Sequence, residues 1–391
     1  MDNKVKLWNR NFIMIIIINF LVFINHVMIL STFPFYIDYL GGSETLAGIA
    51  VTLFSFVAVV MRPIIGWMLN NGLRRKILLA GLIGMALMPV GYLFLSVIYL
   101  AFICRMLHGA SFATSNTTAS TIATDMVPKS RFAEGMGMFG LSTALATATA
   151  PAPGILLMDK MGFTALFVIS AGCAGISILL LALMKTPKIN VEKEPFRLRS
   201  LINKDAIPAS LTALVYLFSY GALENFVAKY AAEYSLPSGG LFFTIMAGMV
   251  LFSRLTLGKV IDARGEGIFV YCGNAAMLVA LVLLGTSATL PAYVISAVLA
   301  GLGFGSLEPA LQSMAVAIAP PQSRGSANST FLCAYDIGIG IGGGIAGSLI
   351  DNLGYHPVWL IMIAFNIASV IVYIAIGRNH PSSFRFRVKN R

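Results

Sequence analysis

KTPKINVEKEPFRLRSLINKD, Lys185 to Asp205, is the longest charged interruption in a chain that otherwise passes from one apolar stretch to the next. Apolar residues make up 58% of the 391 and charged residues 11%, against roughly 25% charged in an ordinary soluble domain. A bilayer crossing takes about 20 mostly apolar residues, and such runs recur on both sides of the charged stretch with only short polar turns between them. Six precede it, near 11–36, 45–69, 76–97, 98–124, 132–158 and 163–184; six follow, near 206–233, 238–260, 267–287, 290–318, 325–350 and 355–377. The expected fold is an all-α membrane protein with twelve transmembrane helices in two six-helix pseudo-symmetric bundles. Its parts are 1–184, a cytoplasmic linker 185–205, 206–377 and a basic cytoplasmic tail 378–391.

The formal net charge of +11 invites a nucleic-acid reading, which the placement of the charges removes. With both termini inside, the inner segments carry nearly all of the 27 Lys and Arg, only Lys160 and Lys229 lie outside, and Arg62, Arg105 and Arg254 fall within spans. That asymmetry obeys the positive-inside rule, so the basic balance reads as topology in a cytoplasmic (plasma or cell inner) membrane. The first apolar run is too long for a signal peptide and no small-residue cleavage site follows it. Cys104, Cys173, Cys272 and Cys333 show neither paired nor metal-ligand spacing and read as packing residues.

The two halves superpose at an offset of 192 residues. Arg62, Gly66 and Asn70 then fall on Arg254, Gly258 and Asp262; Gly109 and Phe112 on Gly301 and Phe304; Asp159 and Gly162 on Asp351 and Gly354. Parallel repeats of this kind place a cargo site near the midplane between the halves, exposed to each side in turn.

On these residues the whole chain resembles the major facilitator superfamily. GWMLNNGLRRK (Gly66 to Lys76) and GKVIDARG (Gly258 to Gly265) stand where that family carries its Gly-x-Leu-x-Asp-Arg-x-Gly-Arg-Arg signature, which implies a gating role for Gly66, Asn70, Arg74, Gly258 and Asp262. In the first copy Asn70 replaces the Asp, Asn71 the Arg and Leu73 the Gly, so a charged latch is expected only from Asp262. ATATAPAPGILL (Ala146 to Leu157) resembles the Gly-Pro-x-x-Gly signature of drug/proton antiporters, which implies export and adds Pro151, Pro153 and Gly154 to the gating set. Read from the residues alone, the same stretch is a bent, closely packed helix, because two donors are missing and the side chains are small. It is expected to face GIGIGGGIAGSLI, Gly338 to Ile350.

Ionisable groups inside a span are costly and mark functional candidates. The acidic ones are Glu224, Glu308 and Asp336, all in the second half, where a carboxylate withdrawn from water can bind either a proton or a cation. Quinolone exporters of the resembled family carry acids on spans seven and ten, which implies proton coupling at Glu224 or Glu308. Arg105, in RMLHGAS, is expected to bias a neighbouring acid, with His108 beside it. Arg62 and Arg254 are expected to snorkel to the headgroups. Cargo-lining candidates are Asn19, Asn25, His26, Phe33 and Tyr36 on span one, His108 on span four, and Tyr216, Tyr220 and Asn225 on span seven.

No GxxxxGK[ST] loop, metal-ligand cluster or nucleophile motif occurs. The expectation is thus a non-enzymatic, cofactor-free and metal-free secondary transporter, a monomer moving small molecules against protons: a multidrug-type efflux antiporter. The alternatives are a transporter of one small metabolite, sugar or metal-chelating compound, and a non-transporting scaffold.

Overall fold

The computed structural model describes residues 7–70, 73–95, 97–128, 132–186, 202–319 and 324–383. Most of the expected linker and the end of the expected tail lie outside the described residues, as do the side chains of Asn70, Gly258 and Asp262. Regular structure among the described residues is helical, in the order α1 (Arg10–Tyr39), α2 (Glu44–Asn70), α3 (Arg74–Tyr92), α4 (Ile98–Met126), α5 (Phe132–Thr149), α6 (Pro151–Leu183), α7 (Ile207–Glu233), α8 (Gly239–Arg264), α9 (Glu266–Thr286), α10 (Leu290–Val316), α11 (Arg324–Leu353) and α12 (Tyr355–Val372). A π-helical turn, Tyr373–Gly377, follows α12.

Nine helical stretches among the described residues are long and apolar enough to cross a bilayer. One of them, Met138–Leu183, has 46 residues, about 69 Å of helix where the hydrocarbon core is ~30 Å thick. Its turn is Gly162, at φ 77° and ψ 179°. The matched Gly354 takes φ 75° and ψ 178° before α12, so the two positions paired by the sequence offset share a left-handed backbone that glycine adopts freely. At Leu73, where the second copy has Gly265 at φ 77°, the backbone returns to φ −87°. α4 falls outside the nine because Arg105, His108, Asn116 and a run of Ser and Thr dilute its apolar content. α8 contributes a shorter apolar stretch, Gly239–Arg254.

The proline segment stays close to helical geometry across its break. Ala150 remains right-handed helical (φ −68°, ψ −36°), and its amide donates to Ala146 O while Gly154 N donates to Ala150 O. The prolines therefore remove donors at a break between α5 and α6 that is marked by a bend at Ala150, and α6 begins at Pro151, whose fixed φ suits a first helical residue. Gly154 lies against the Met28 backbone, 3.1 Å from where a Cβ would stand.

Two compact units emerge, Met1–Leu30 with Val57–Phe196 and Ser31–Phe56 with Arg197–Arg391. In the first, α3 packs on α4 and α6. In the second, α7 packs on α11, α12 and α10, and α9 on α10 and α12. Hydrogen bonds join these helices where water is absent: Ser219 Oγ donates to Met362 O, Asn366 Nδ2 to Ser219 Oγ, Ser369 Oγ to Thr212 O and Ser296 Oγ to Ala280 O.

The glycines of α11 serve two neighbours. A Cβ at Gly338 would stand 2.6 Å from Leu217 Cβ and one at Gly342 would strike the Phe218 backbone, both on α7; reciprocally, a Cβ at Gly221 of α7 would stand 2.6 Å from Ile339 O. On another face, a Cβ at Gly48 of α2 would stand 2.6 Å from Gly343 O, and Thr52 Oγ1 donates to Gly340 O at 2.7 Å. Such contact replaces the hydrophobic drive that lipid does not provide. Gly342→Ala is expected to lower the thermal midpoint of the detergent-purified protein by about 5 °C or more. Gly66→Ala, where an added Cβ has nothing within 4 Å, leaves it unchanged or higher; equal midpoints would refute the packing account.

Candidate functional site

Each unit holds a buried polar centre. In the first, Asn25 on α1 donates through Nδ2 to Met85 O (3.1 Å) and Ser170 O (2.6 Å). Its Oδ1 is thereby left as acceptor for His108 Nε2 at 3.2 Å. The Nδ1 of the same imidazole lies 3.5 Å from the Tyr92 hydroxyl, so this arrangement places the ring proton on Nε2 and lets Tyr92 donate to Nδ1. Arg105, fully buried one turn before His108, sits beside Tyr92 and Cys104. His26 stacks on Phe112 with centroids 4.1 Å apart. Asn19 is used elsewhere, donating to Ser142 and Thr143 on α5.

In the second unit, Glu224 on α7 is 2% exposed. Tyr220 Oη donates to its Oε1 at 3.4 Å, while Oε2 has no hydrogen-bond partner among the described residues. Tyr220 stacks on Phe304 of α10, centroids 3.9 Å apart and planes 10° from parallel. Tyr335 of α11 follows, 6.5 Å from Phe304, near Glu224, Glu308, Asp336 and Arg254. Glu308 is salt-bridged to Arg254 Nη2. Tyr216 is fully buried one turn before Tyr220. Asn225 turns back on its own helix, Nδ2 to Gly221 O at 2.7 Å.

The repeat relates these centres. Arg62 Nη1 donates to Asn116 Oδ1 at 3.0 Å, and the 192-residue offset carries this pair onto Arg254 and Glu308. Phe112 and Phe304, also matched, each stack on a ring from the first helix of the respective sequence half. The expectation that Arg62 and Arg254 snorkel is thus corrected. Arg62 is 5% exposed and bonded to a neighbouring helix, and Arg254 neutralises an acid instead of reaching outward. Glu224 has no acidic counterpart, since the offset places it on Thr32.

Tyr36 is placed apart from Asn25 and His26. It lies in the second unit beside Phe33 and Tyr39. At the start of α3, Arg74 Nε lies 2.9 Å from Asp125 Oδ2, an acid that sequence reading passed over because it belongs to the end of α4. Sequence reading gave no site role to Lys229 or Asp351 and did not single out Glu44, yet the three meet in the second unit. Each looked like an ordinary charge at a helix end. No group of three or more His, Cys, Asp or Glu among the described residues is arranged to hold a metal ion.

The profile of the Major Facilitator Superfamily matches residues 15–266 and 209–390. An uncharacterized MFS-type transporter, YhhS, of Escherichia coli K12 is 26% identical over 363 residues, covering 90% of this chain and 89% of the relative. The staphylopine export protein of Staphylococcus aureus strain Mu50 is 23% identical over 351 residues, covering 86% and 88%. Among solved structures, the nucleoside transporter NupG aligns with TM-score 0.75 at 14% identity over 93% of this chain and 98% of that one. A POT family transporter in complex with 5-aminolevulinic acid aligns with TM-score 0.77 at 16% identity, covering 95% and 96%. The chain belongs to the Major Facilitator Superfamily and is an integral membrane transporter, not an enzyme.

Proposed function

We propose that this transporter exports amphipathic organic molecules in exchange for protons, by alternating access through twelve spans with both termini in the cytoplasm. The observation that carries the reading is Glu224. An ionised carboxylate in a dry setting is costly unless something neutralises it, and its Oε2 has no partner among the described residues. A proton or the positive end of a cargo molecule fills that need, and the two compete for one oxygen atom. Tyr220, Phe304 and Tyr335 supply aromatic surface beside it. Glu308 already has a cation, Arg254, which favours Glu224 as the proton carrier and gives the Arg254–Glu308 pair a supporting role. Asp336 and Arg105 remain coupling candidates around these centres.

Export as the direction is supported by the Ala-Pro-x-Pro-Gly run at Ala150 to Gly154 and by the relative named for export of staphylopine. That relative, with the Arg62, Arg105, His26 and His108 group in the first unit, favours a second reading: export of one small polar or metal-chelating metabolite. A monomer suffices for either reading.

Dye accumulation in cells tests the first of these readings. Ethidium, a lipophilic cation, is expected to accumulate about tenfold less with the wild-type protein than without it, and the difference should vanish when a protonophore collapses the gradient. Glu224→Gln is expected to accumulate dye like cells lacking the protein. Full efflux by Glu224→Gln would rule out this carboxyl as the proton carrier, and gradient-independent efflux would rule out antiport. For Glu308 the expectation differs. Glu308→Gln leaves the Arg254 guanidinium uncompensated and lowers stability by about 2–3 kcal/mol, most of which Arg254→Gln in the same chain restores. Additive losses in thermal unfolding would count against a supporting pair.

A further inference from the structure

Where α1 turns into α2, the chain is held by three helices of the second unit. Lys229 Nζ, near the end of α7, lies 2.5 Å from Glu44 Oε1 and 3.8 Å from Asp38 Oδ2, and 5.9 Å from the centre of the Phe35 ring. Tyr355 at the start of α12 donates its hydroxyl to the same Glu44 oxygen at 3.2 Å. Asp351 at the end of α11 accepts from the first two amides of α2, Glu44 N at 2.9 Å through Oδ1 and Thr45 N at 2.7 Å through Oδ2. Those amides have no intrahelical partner and stand at the positive end of the helix dipole. The carboxylate of another helix thus performs the cap that a local residue usually provides. Lys229 and Glu44 are 11% and 14% exposed, and so are shielded enough for the pair to outweigh an ordinary surface ion pair.

We propose that Lys229, Glu44, Asp351 and Tyr355 form a releasable clasp, which must part before the outer ends of α1 and α2 leave α7 and α11. The inference rests on the alternating-access reading above. Three features suit the clasp to release. Its bonds are polar and can be exchanged for water, unlike a bulky apolar interlock. The surface beneath it is the glycine face of α11, against which Gly48 and Thr52 lie with little side-chain interdigitation. Lys229 also sits five residues beyond Glu224 on α7, about 7.5 Å along the axis of one continuous helix. A shift of α7 when Glu224 changes partner is therefore delivered directly to the clasp.

The test is outer-face accessibility of α2, without cargo or proton gradient. In a chain whose Cys104, Cys173, Cys272 and Cys333 are replaced by Ala, Thr52→Cys is labelled with a membrane-impermeant maleimide. Lys229→Met is expected to raise the labelling rate about tenfold, and adding Glu44→Gln to raise it little further, because both remove the same bond. In the chain with native cysteines, hydrogen–deuterium exchange should quicken over residues 43–56 in Lys229→Met and in Asp351→Asn, with residues 266–286 unchanged. Unchanged labelling would overturn the clasp. So would exchange rising equally across the second unit, which would make these residues a general brace. Because neither readout involves transport, loss of Glu224 coupling and loss of the clasp are separate results.

Discussion

Within the hydrocarbon layer no water is available to complete an unfinished hydrogen bond, and this governs where every polar group of the chain can stand. Four threonines of α4 meet the constraint locally: Thr114, Thr118, Thr121 and Thr124 each return a hydroxyl to the carbonyl four residues back. Longer side chains meet it across helices. Asn25 uses both amide hydrogens on carbonyls of α3 and α6 and its oxygen on His108. Arg62 finds Asn116 and Arg254 finds Glu308. Several buried polar atoms among the described residues have no hydrogen-bond partner, Ser115 Oγ, Tyr216 Oη and Asn225 Oδ1 among them. The Oε2 of Glu224 is one of these, and on an acid that opening is one a proton or a cargo charge would complete.

The same absence of water removes the usual drive for helices to associate, since a leucine gains little by leaving lipid for another leucine. Close backbone approach takes its place. α11 illustrates how far this goes, because its glycines admit α7 on one side and the first turns of α2 on another. A face built of glycine holds by fit and dispersion and offers few knobs that must be withdrawn before it slides. In the proposed clasp, polar fastenings at its edge, Asp351 and Lys229 among them, would then set when it moves.

Much of the architecture was legible in the sequence. The apolar runs, the charged stretch at Lys185 and the 192-residue offset anticipate an all-helical membrane chain with internal repeats, and the shared backbone at Gly162 and Gly354 makes the repeat physical. The burial of Arg105, His108 and Glu224 also followed from their place inside apolar runs. Partners were not legible. Nothing local told that Arg254 would meet Glu308, 54 residues away, and its place near a helix end suggested snorkelling. Lys229 and Asp351 read as ordinary charges at span ends because their significance lies in residues roughly 185 and 306 positions away. Periodicity sees a helix face; it does not see which helix comes to meet it.

The repeat also shows how one scaffold acquires directional chemistry. Arg62 with Asn116 and Arg254 with Glu308 occupy equivalent places, so the fold needs a guanidinium joined to an oxygen there, and either a neutral or a charged acceptor serves. What distinguishes the second unit is Glu224, whose counterpart is Thr32. An acid added at a position where the repeat does not require one is difficult to assign to folding, since it brings a desolvation cost the other half avoids. The economical account is that the scaffold is symmetric because packing in lipid demands it. On the proton-exchange reading proposed above, the charge is asymmetric because coupling needs only one site that can be filled and emptied. Glu224 and Lys229 lie on one continuous helix, α7, so the proposed proton site and the proposed clasp would share a single element.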